Sequence, residues 1–180
     1  MPPVSRTALL DQAPALLERA VGYTRASLML VANEPMSAAT PCTGWDLATL
    51  LGHMDDSLAA FTEAADLGYV AADPAEAKDP AALVESLKTR ACALLGAWSA
   101  EPARAETSVA GHATSLRLLA AAGALEITVH GWDVAAACGS PRPIPDALAL
   151  SLLGVVDLVL SKRQSMGTLM AALQALVKQG

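Results

Sequence analysis

Aromatic residues make up only 3% of this 180-residue chain and charged residues 17%, whereas 53% of its residues are hydrophobic. β-Sheet surfaces favour aromatic and β-branched side chains, so their shortage argues against a fold built on sheets. Ala and Leu, which are abundant here, are strong helix formers. A chain of this length can bury a core of its own. The composition therefore predicts an all-α protein with a single domain over residues 1–180.

Cysteine is also scarce. The three cysteines, Cys42, Cys92 and Cys138, are an odd number without a C-x-x-C spacing, which indicates neither a disulfide framework nor a thiolate zinc site. Cys42 lies just before a predicted helix start, a position that can make a thiol reactive. The simpler interpretation is three reduced thiols.

The chain has no basic cluster and no long uncharged apolar run. Its net charge of -6 and its scattered Lys and Arg argue against a nucleic-acid partner. The most apolar stretch, residues 118–138, contains Glu126, His130 and Asp133, which disfavours a membrane span. The N-terminus also lacks the apolar region of a signal peptide. We therefore expect a cytoplasmic protein without a membrane partner.

Apolar residues recur at helical spacing in several segments separated by proline- and glycine-containing breaks. Pro14 can delay the start of the first segment, and Pro35 closes it. Residues 103–113 read as an irregular or extended connection, after which Thr114 or Ser115 can cap the next helix. The predicted helices are 5–32, 45–67, 80–100, 114–139, 146–162 and a short one at 168–178. This pattern predicts a bundle of about four main helices with additional helices at one end.

Glu126 and His130 interrupt an otherwise apolar helix four residues apart, so they share one helix face. A buried carboxylate and imidazole cost free energy unless they are paired or bind a metal. His53 borders the apolar stripe of the second predicted helix and can join them if the two helices are neighbours. Two imidazoles and one carboxylate suit zinc, nickel or iron and leave a coordination position open for catalysis. Asp56 and Asp133, each one turn beyond a histidine, are candidate outer hydrogen-bond acceptors.

Each of these residues also has a structural interpretation. Glu126 and His130 can be a simple i, i+4 pair, and His53 a satisfied histidine at the edge of the core. Trp45 and Trp132 are expected to be packing residues. His112 is most simply a loop histidine, although it could be a general base or an extra ligand. The tripeptide Gly-Trp-Asp at 44–46 and 131–133 has unlike flanks and is interpreted as a coincidence.

Two motifs, TPCTGWDLATLLGHM at 40–54 and ALEITVHGWDVAAACG at 124–139, resemble the mycothiol-dependent maleylpyruvate isomerase N-terminal family of the DinB-like superfamily. The resemblance covers residues 8–139. It implies a DinB-like four-helix bundle with a divalent metal, most simply zinc or else nickel, bound by His53, Glu126 and His130. It also implies activation of mycothiol or another low-molecular-weight thiol.

The resemblance leaves the reaction open. The isomerase has a further C-terminal domain that helps to complete its active site, whereas the last residues of this chain offer only Lys162 and Arg163 as an anion clamp. We expect a metal-dependent thiol transferase acting on a small electrophilic molecule, or an isomerase that works through a thiol adduct. The alternatives are a metal-dependent hydrolase or lyase, and a non-catalytic metal-binding or dimerisation module. The excess of apolar residues also makes a homodimer plausible.

Overall fold

Six helices and one β-hairpin are formed by the residues that the computed structural model describes, namely 6–70, 80–99, 105–109 and 112–161. In chain order the elements are α1 (Arg6–Asp11), α2 (Ala13–Leu28), α3 (Leu47–Asp66), α4 (Pro80–Ser99), β1 (Glu106–Val109), β2 (His112–Ser115), α5 (Leu116–Ala137) and α6 (Asp146–Ser161). Helices α2, α3, α4 and α5 form the bundle, in which α5 and α4 each contact both α2 and α3. The all-α prediction is confirmed.

The predicted first helix, 5–32, is wrong in its extent. The helix is interrupted at Gln12, between α1 and α2. Pro14 lies in the first turn of α2, where its missing N–H removes no helical hydrogen bond. Helix α2 ends at Leu28, and a short 3-10 turn, Val31–Asn33, follows it. The amino-terminal segment thus consists of the six-residue helix α1 followed by the 16-residue helix α2.

Helix α3 begins where the sequence places a helix start. The side chain of Asp46 accepts hydrogen bonds from the backbone N–H of Thr49 at 2.8 Å and from its hydroxyl at 2.7 Å. These bonds lower the pKa of Asp46 and cap the helix. The predicted apolar stripe of α3 is buried: Leu47, Leu50, Leu51, Met54, Leu58 and Phe61.

Helices α3 and α4 are joined by a buried carboxylate as well as by apolar packing. Asp55, which is 1% exposed, accepts hydrogen bonds from Ser86 Oγ at 2.6 Å and from Arg90 Nε at 3.0 Å. These bonds offset the cost of burying the Asp55 charge and fix the register between the two helices.

The predicted irregular or extended connection contains an antiparallel hairpin, with Glu106 opposite Ser115 and Val109 opposite His112. Ser108 N donates to Gly68 O at 2.9 Å, and Val70 N donates to Ser108 O at 3.2 Å, so the hairpin packs at the carboxyl end of α3. His112 therefore begins a strand instead of lying in a loop.

Helices α2 and α5 pack closely because their contact is built from small residues. Thr24 Oγ1 donates to the carbonyl of Ile127 at 2.7 Å, and a Cβ added at Gly131 would lie only 2.2 Å from Thr24 Oγ1.

Ser115 occupies the amino-terminal cap position of α5 without a side-chain hydrogen bond, and Gly139, with φ of +64°, follows the carboxyl end of α5.

Helix α6 confirms the predicted helix at 146–162 to within one residue and is 16 residues long. The predicted helix at 168–178 lies outside the described residues, and the single domain over 1–180 stays a prediction. Among the described segments, none of the helices combines the length and apolar character that a membrane span requires.

Candidate metal centre

The three side chains singled out in the sequence meet between α3 and α5. His53 Nε2 lies 2.8 Å from Glu126 Oε1, and His130 Nε2 lies 3.1 Å from the same oxygen. The imidazole rings of His53 and His130 are 4.9 Å apart between centroids. One ligand atom from each residue falls within 4.8 Å of the others. The structure thus brings the three predicted ligands together, while metal binding by them stays a prediction.

Asp133 extends the cluster behind His130. Its Oδ2 lies 2.9 Å from His130 Nδ1, and its side chain is only 7% exposed. Cys42 donates from Sγ to the same Oδ2 at 3.4 Å. Asp133 therefore contacts one of the candidate ligand histidines, His130, whereas Asp56 is half-buried on α3; the predicted roles of both as outer acceptors of a metal site stay predictions.

Trp45 forms one wall of the cluster, which sequence reasoning missed. Its ring lies 5.0 Å from the ring of His53 and 6.2 Å from that of His130, the latter in a stacked arrangement. Trp45 directly precedes the helix cap Asp46, so the start of α3 fixes both. A tryptophan beside a helix cap is too common a feature of sequences to identify a site by itself. Trp132, by contrast, is 38% exposed.

Burial and hydrogen bonding act against each other at Glu126. Burial alone would raise the pKa of its carboxyl, but the hydrogen bonds from His130 and His53 outweigh burial and lower that pKa to about 2. Burial likewise favours neutral His130, yet Glu126 and Asp133 together raise the pKa of its imidazole. The cluster therefore stabilises the Glu126 carboxylate and the positively charged form of the His130 imidazole.

Cys42 is a free thiol, as the simpler interpretation of the sequence predicts, and its surroundings disfavour the reactive alternative. Burial and the neighbouring Asp133 carboxylate raise the pKa of the Cys42 thiol to about 11. With this raised pKa, Cys42 is protonated at neutral pH and acts as a hydrogen-bond donor to Asp133. Because the thiolate is the nucleophilic form, the protonated Cys42 is a poor nucleophile.

The donor set fits a divalent transition metal. With Nδ1 of His130 directed at the Asp133 carboxylate, the lone pair of its Nε2 can face the cluster, the usual arrangement of a metal-binding histidine. A metal ion and protons compete for the same atoms of His53, Glu126 and His130. Two imidazole nitrogens and one carboxylate suit zinc.

A cleft of about 190 Å³ opens beside the cluster and shares Glu126 and His130 with it. Its remaining lining comes from all four helices of the bundle, with Val21, Thr24, Arg25 and Leu28 from α2, Met54, Ser57 and Leu58 from α3, Leu87, Lys88, Ala91, Cys92 and Leu95 from α4, and Ile127 from α5. A molecule in the cleft would therefore lie against two of the candidate ligands.

Some sequence candidates cannot be located at this site. The backbone of His112 is in β2, but its side chain lies outside the described part of the protein, as do Lys162 and Arg163. Their proposed roles stay predictions.

The family described as Mycothiol maleylpyruvate isomerase N-terminal domain matches residues 17–135, more than half of the chain. The chain therefore belongs to this family, which is part of the DinB-like superfamily. Membership implies a metal-binding protein associated with mycothiol. No curated protein and no solved structure matches the chain significantly.

Proposed function

We propose that this protein is a metal-dependent transferase that joins a low-molecular-weight thiol of the mycothiol type to a small electrophilic molecule. The observation that carries the proposal is that ligand atoms of His53, Glu126 and His130 lie within 4.8 Å of one another, beside an apolar cleft. Family membership supports the choice of thiol.

His53, Glu126 and His130 would hold the metal, with zinc the best match to the donors and nickel the alternative. A divalent metal supplies Lewis acidity, which lowers the pKa of a thiol or of water near neutral pH. In the transfer, the thiol would release its proton to solvent water, its sulfur would bond to the electrophilic carbon, and the bond from that carbon to the leaving group would break with both electrons going to the leaving group.

Asp133 and Trp45 position the ligands in this proposal. The Asp133 carboxylate accepts the Nδ1 proton of His130 and selects the ring orientation in which Nε2 faces the cluster. The Trp45 ring packs against both imidazoles and limits the access of water from that side. Both residues act on geometry and polarity without touching the reacting atoms.

Elemental analysis of untagged protein tests the metal site. We expect about one equivalent of a transition metal in the parent and its loss in His53→Ala and in His130→Ala. His112→Ala is the matched control, because it removes the remaining histidine and should retain the metal. A parent that binds no metal even after reconstitution, or equal loss in all three variants, would contradict the site.

Thiol consumption tests the reaction. We expect metal-loaded protein to consume mycothiol in the presence of one or more members of a panel of alkyl, aryl and epoxide electrophiles, and we expect His53→Ala to be inactive. Turnover of the same compounds without thiol would instead favour the hydrolase. A complete lack of turnover with a saturated metal shell would favour the non-catalytic module.

A further inference from the structure

The size of the cleft beside the metal centre limits what can bind in it. An apolar cavity of about 150 Å³ holds a benzene molecule. At about 190 Å³, the cleft has room for one six-membered ring with a short substituent, or for a short aliphatic chain.

The cleft lining is chiefly aliphatic. Eight of its fifteen lining residues are apolar and come from all four helices of the bundle: Val21, Leu28, Met54, Leu58, Leu87, Ala91, Leu95 and Ile127. The other seven expose little polar surface to the cleft, and the hydroxyl of one of them, Thr24, already donates to the carbonyl of Ile127. The walls therefore favour an apolar body and offer few hydrogen-bond partners to a polyhydroxylated molecule.

Two cationic residues line the cleft, but they differ in what they contact. Lys88 Nζ is paired with Glu85 Oε1 at 2.6 Å. Arg25 is exposed and, among the described residues, forms neither a hydrogen bond nor an ion pair. A guanidinium group binds carboxylates and phosphates through paired N–H donors. Within the described part of the chain, Arg25 is therefore the arginine or lysine of the cleft lining whose charge is not offset by a paired carboxylate.

We propose that this cleft binds the electrophile and selects a single-ring or short-chain apolar molecule with one anionic group, which Arg25 binds at the rim. This inference rests on the proposed function, because only that function identifies the molecule in the cleft as the electrophile. Apolar contacts with the walls hold the body of the molecule, and the shared residues Glu126 and His130 bring it next to the metal centre.

Calorimetric titration with an unreactive probe tests this selection. We expect phenylacetate to bind the zinc-loaded protein at least roughly tenfold more tightly than its neutral analogue phenylacetamide, the difference expected of one charge-assisted contact. Arg25→Gln should remove that preference and leave phenylacetamide binding unchanged. Ala91→Phe, which fills the cleft, should weaken both probes.

Two controls distinguish binding at Arg25 from a general charge effect and from binding at the metal. Arg19→Gln removes a cation from the same helix, but Arg19 contacts Ser151 and does not line the cleft, so it should leave both affinities unchanged. His53→Ala should still prefer phenylacetate, because His53 does not line the cleft. Probe binding to His53→Ala therefore tests the cleft and Arg25 even if the proposed metal chemistry is wrong.

Four results would overturn the proposal. They are equal affinity for the two probes, equal effects of Arg25→Gln and Arg19→Gln, no binding of either probe, and a preference for phenylacetate that disappears in His53→Ala. The last result would mean that the carboxylate binds the metal instead of Arg25.

Discussion

His130 is the residue at which the contacts of the candidate metal centre converge. Its Nε2 faces Glu126, its Nδ1 faces Asp133, and its ring stacks on Trp45. An imidazole in which both nitrogens have defined partners has one preferred orientation, which reduces the entropy that metal binding must overcome. The position of His130 therefore depends on Asp133 as much as on its own helix.

We predict that Asp133→Asn weakens zinc binding by roughly 10- to 100-fold while leaving the fold intact. Asparagine keeps the size of the side chain and one acceptor oxygen, but it lacks the negative charge that favours a proton on His130 Nδ1. Competition with a chromophoric chelator measures the affinity.

Asp46→Asn is the matched control for Asp133→Asn, since it also removes one carboxylate and asparagine caps helices equally well. It should leave zinc affinity unchanged. If both variants lose affinity to the same degree, the effect is one of overall charge and the role of Asp133 is wrong. Asp56→Asn, measured alongside, tests the other predicted outer acceptor.

The candidate ligands could be identified from sequence because each is a polar residue in or beside an apolar helix face, where it needs a partner. Arg25 and Trp45 could not be identified in this way. A surface arginine and a tryptophan next to a helix start are ordinary features of a sequence, and only the approach of separate helices gives them a site to line. The contact of Cys42 with Asp133 could not be predicted either, because the two residues are 91 positions apart in sequence.

At the scale of elements, the contact between α2 and α5 determines the position of α5, which carries two of the three residues of the candidate metal centre, Glu126 and His130. Gly131 directly follows His130, and its lack of a side chain allows Thr24 to approach the backbone of α5. The second Gly-Trp-Asp tripeptide thus supplies a packing glycine and the Asp133 acceptor, while the first supplies Trp45 and the Asp46 cap. Although the two copies lie in different local structures, both contribute to one site.

We predict that Gly131→Ala lowers the free energy of unfolding by about 1–3 kcal/mol, the usual cost of overpacking. The new Cβ would lie 2.2 Å from Thr24 Oγ1 and 3.0 Å from Thr24 Cα, so rotation of the Thr24 side chain cannot fully relieve the clash. Zinc affinity should fall as well, because α5 must shift to accommodate the methyl group. Urea denaturation and chelator competition measure the two effects.

Gly22→Ala is the control, since Gly22 is an exposed position in α2 where an added Cβ would have nothing within 4 Å. Alanine there should stabilise the protein by about 0.5–1 kcal/mol through its better helix propensity. Equal destabilisation by the two substitutions would show that the close contact between α2 and α5 is not what requires glycine at 131.

The helix boundaries were predicted best where a local signal exists. The Asp46 cap and the prolines before α6 mark ends that the structure reproduces to within one or two residues. The break at Gln12 and the hairpin were not predicted in detail. Polar strands carry little hydrophobic periodicity, and pairing at the carboxyl end of α3 is a long-range interaction that composition does not encode.

At the scale of the whole molecule, the candidate metal centre connects parts of the chain that are far apart in sequence. His53 and Glu126 are separated by 73 residues, and their side chains meet only when α3 and α5 have packed. The unfolded chain cannot present the three ligands together, so an ion that binds them binds the folded state preferentially. A homodimer stays a prediction, which sedimentation equilibrium can test.

Preferential binding to the folded state predicts that zinc raises the melting temperature of the protein. At a free zinc concentration 100 times the dissociation constant, the added stability is about 2.7 kcal/mol. For a chain of this size, that corresponds to an increase of roughly 5–10 °C. Differential scanning calorimetry with zinc, and then with excess chelator, measures the increase and its reversal.

His53→Ala and magnesium provide the two controls for the thermal shift. The variant lacks one ligand and should show little increase with zinc. Magnesium prefers oxygen ligands in octahedral geometry and should leave the parent unchanged. An equal increase in the parent and in His53→Ala would place zinc elsewhere on the protein, whereas no increase in either would mean that the three side chains stabilise the bundle through their own hydrogen bonds.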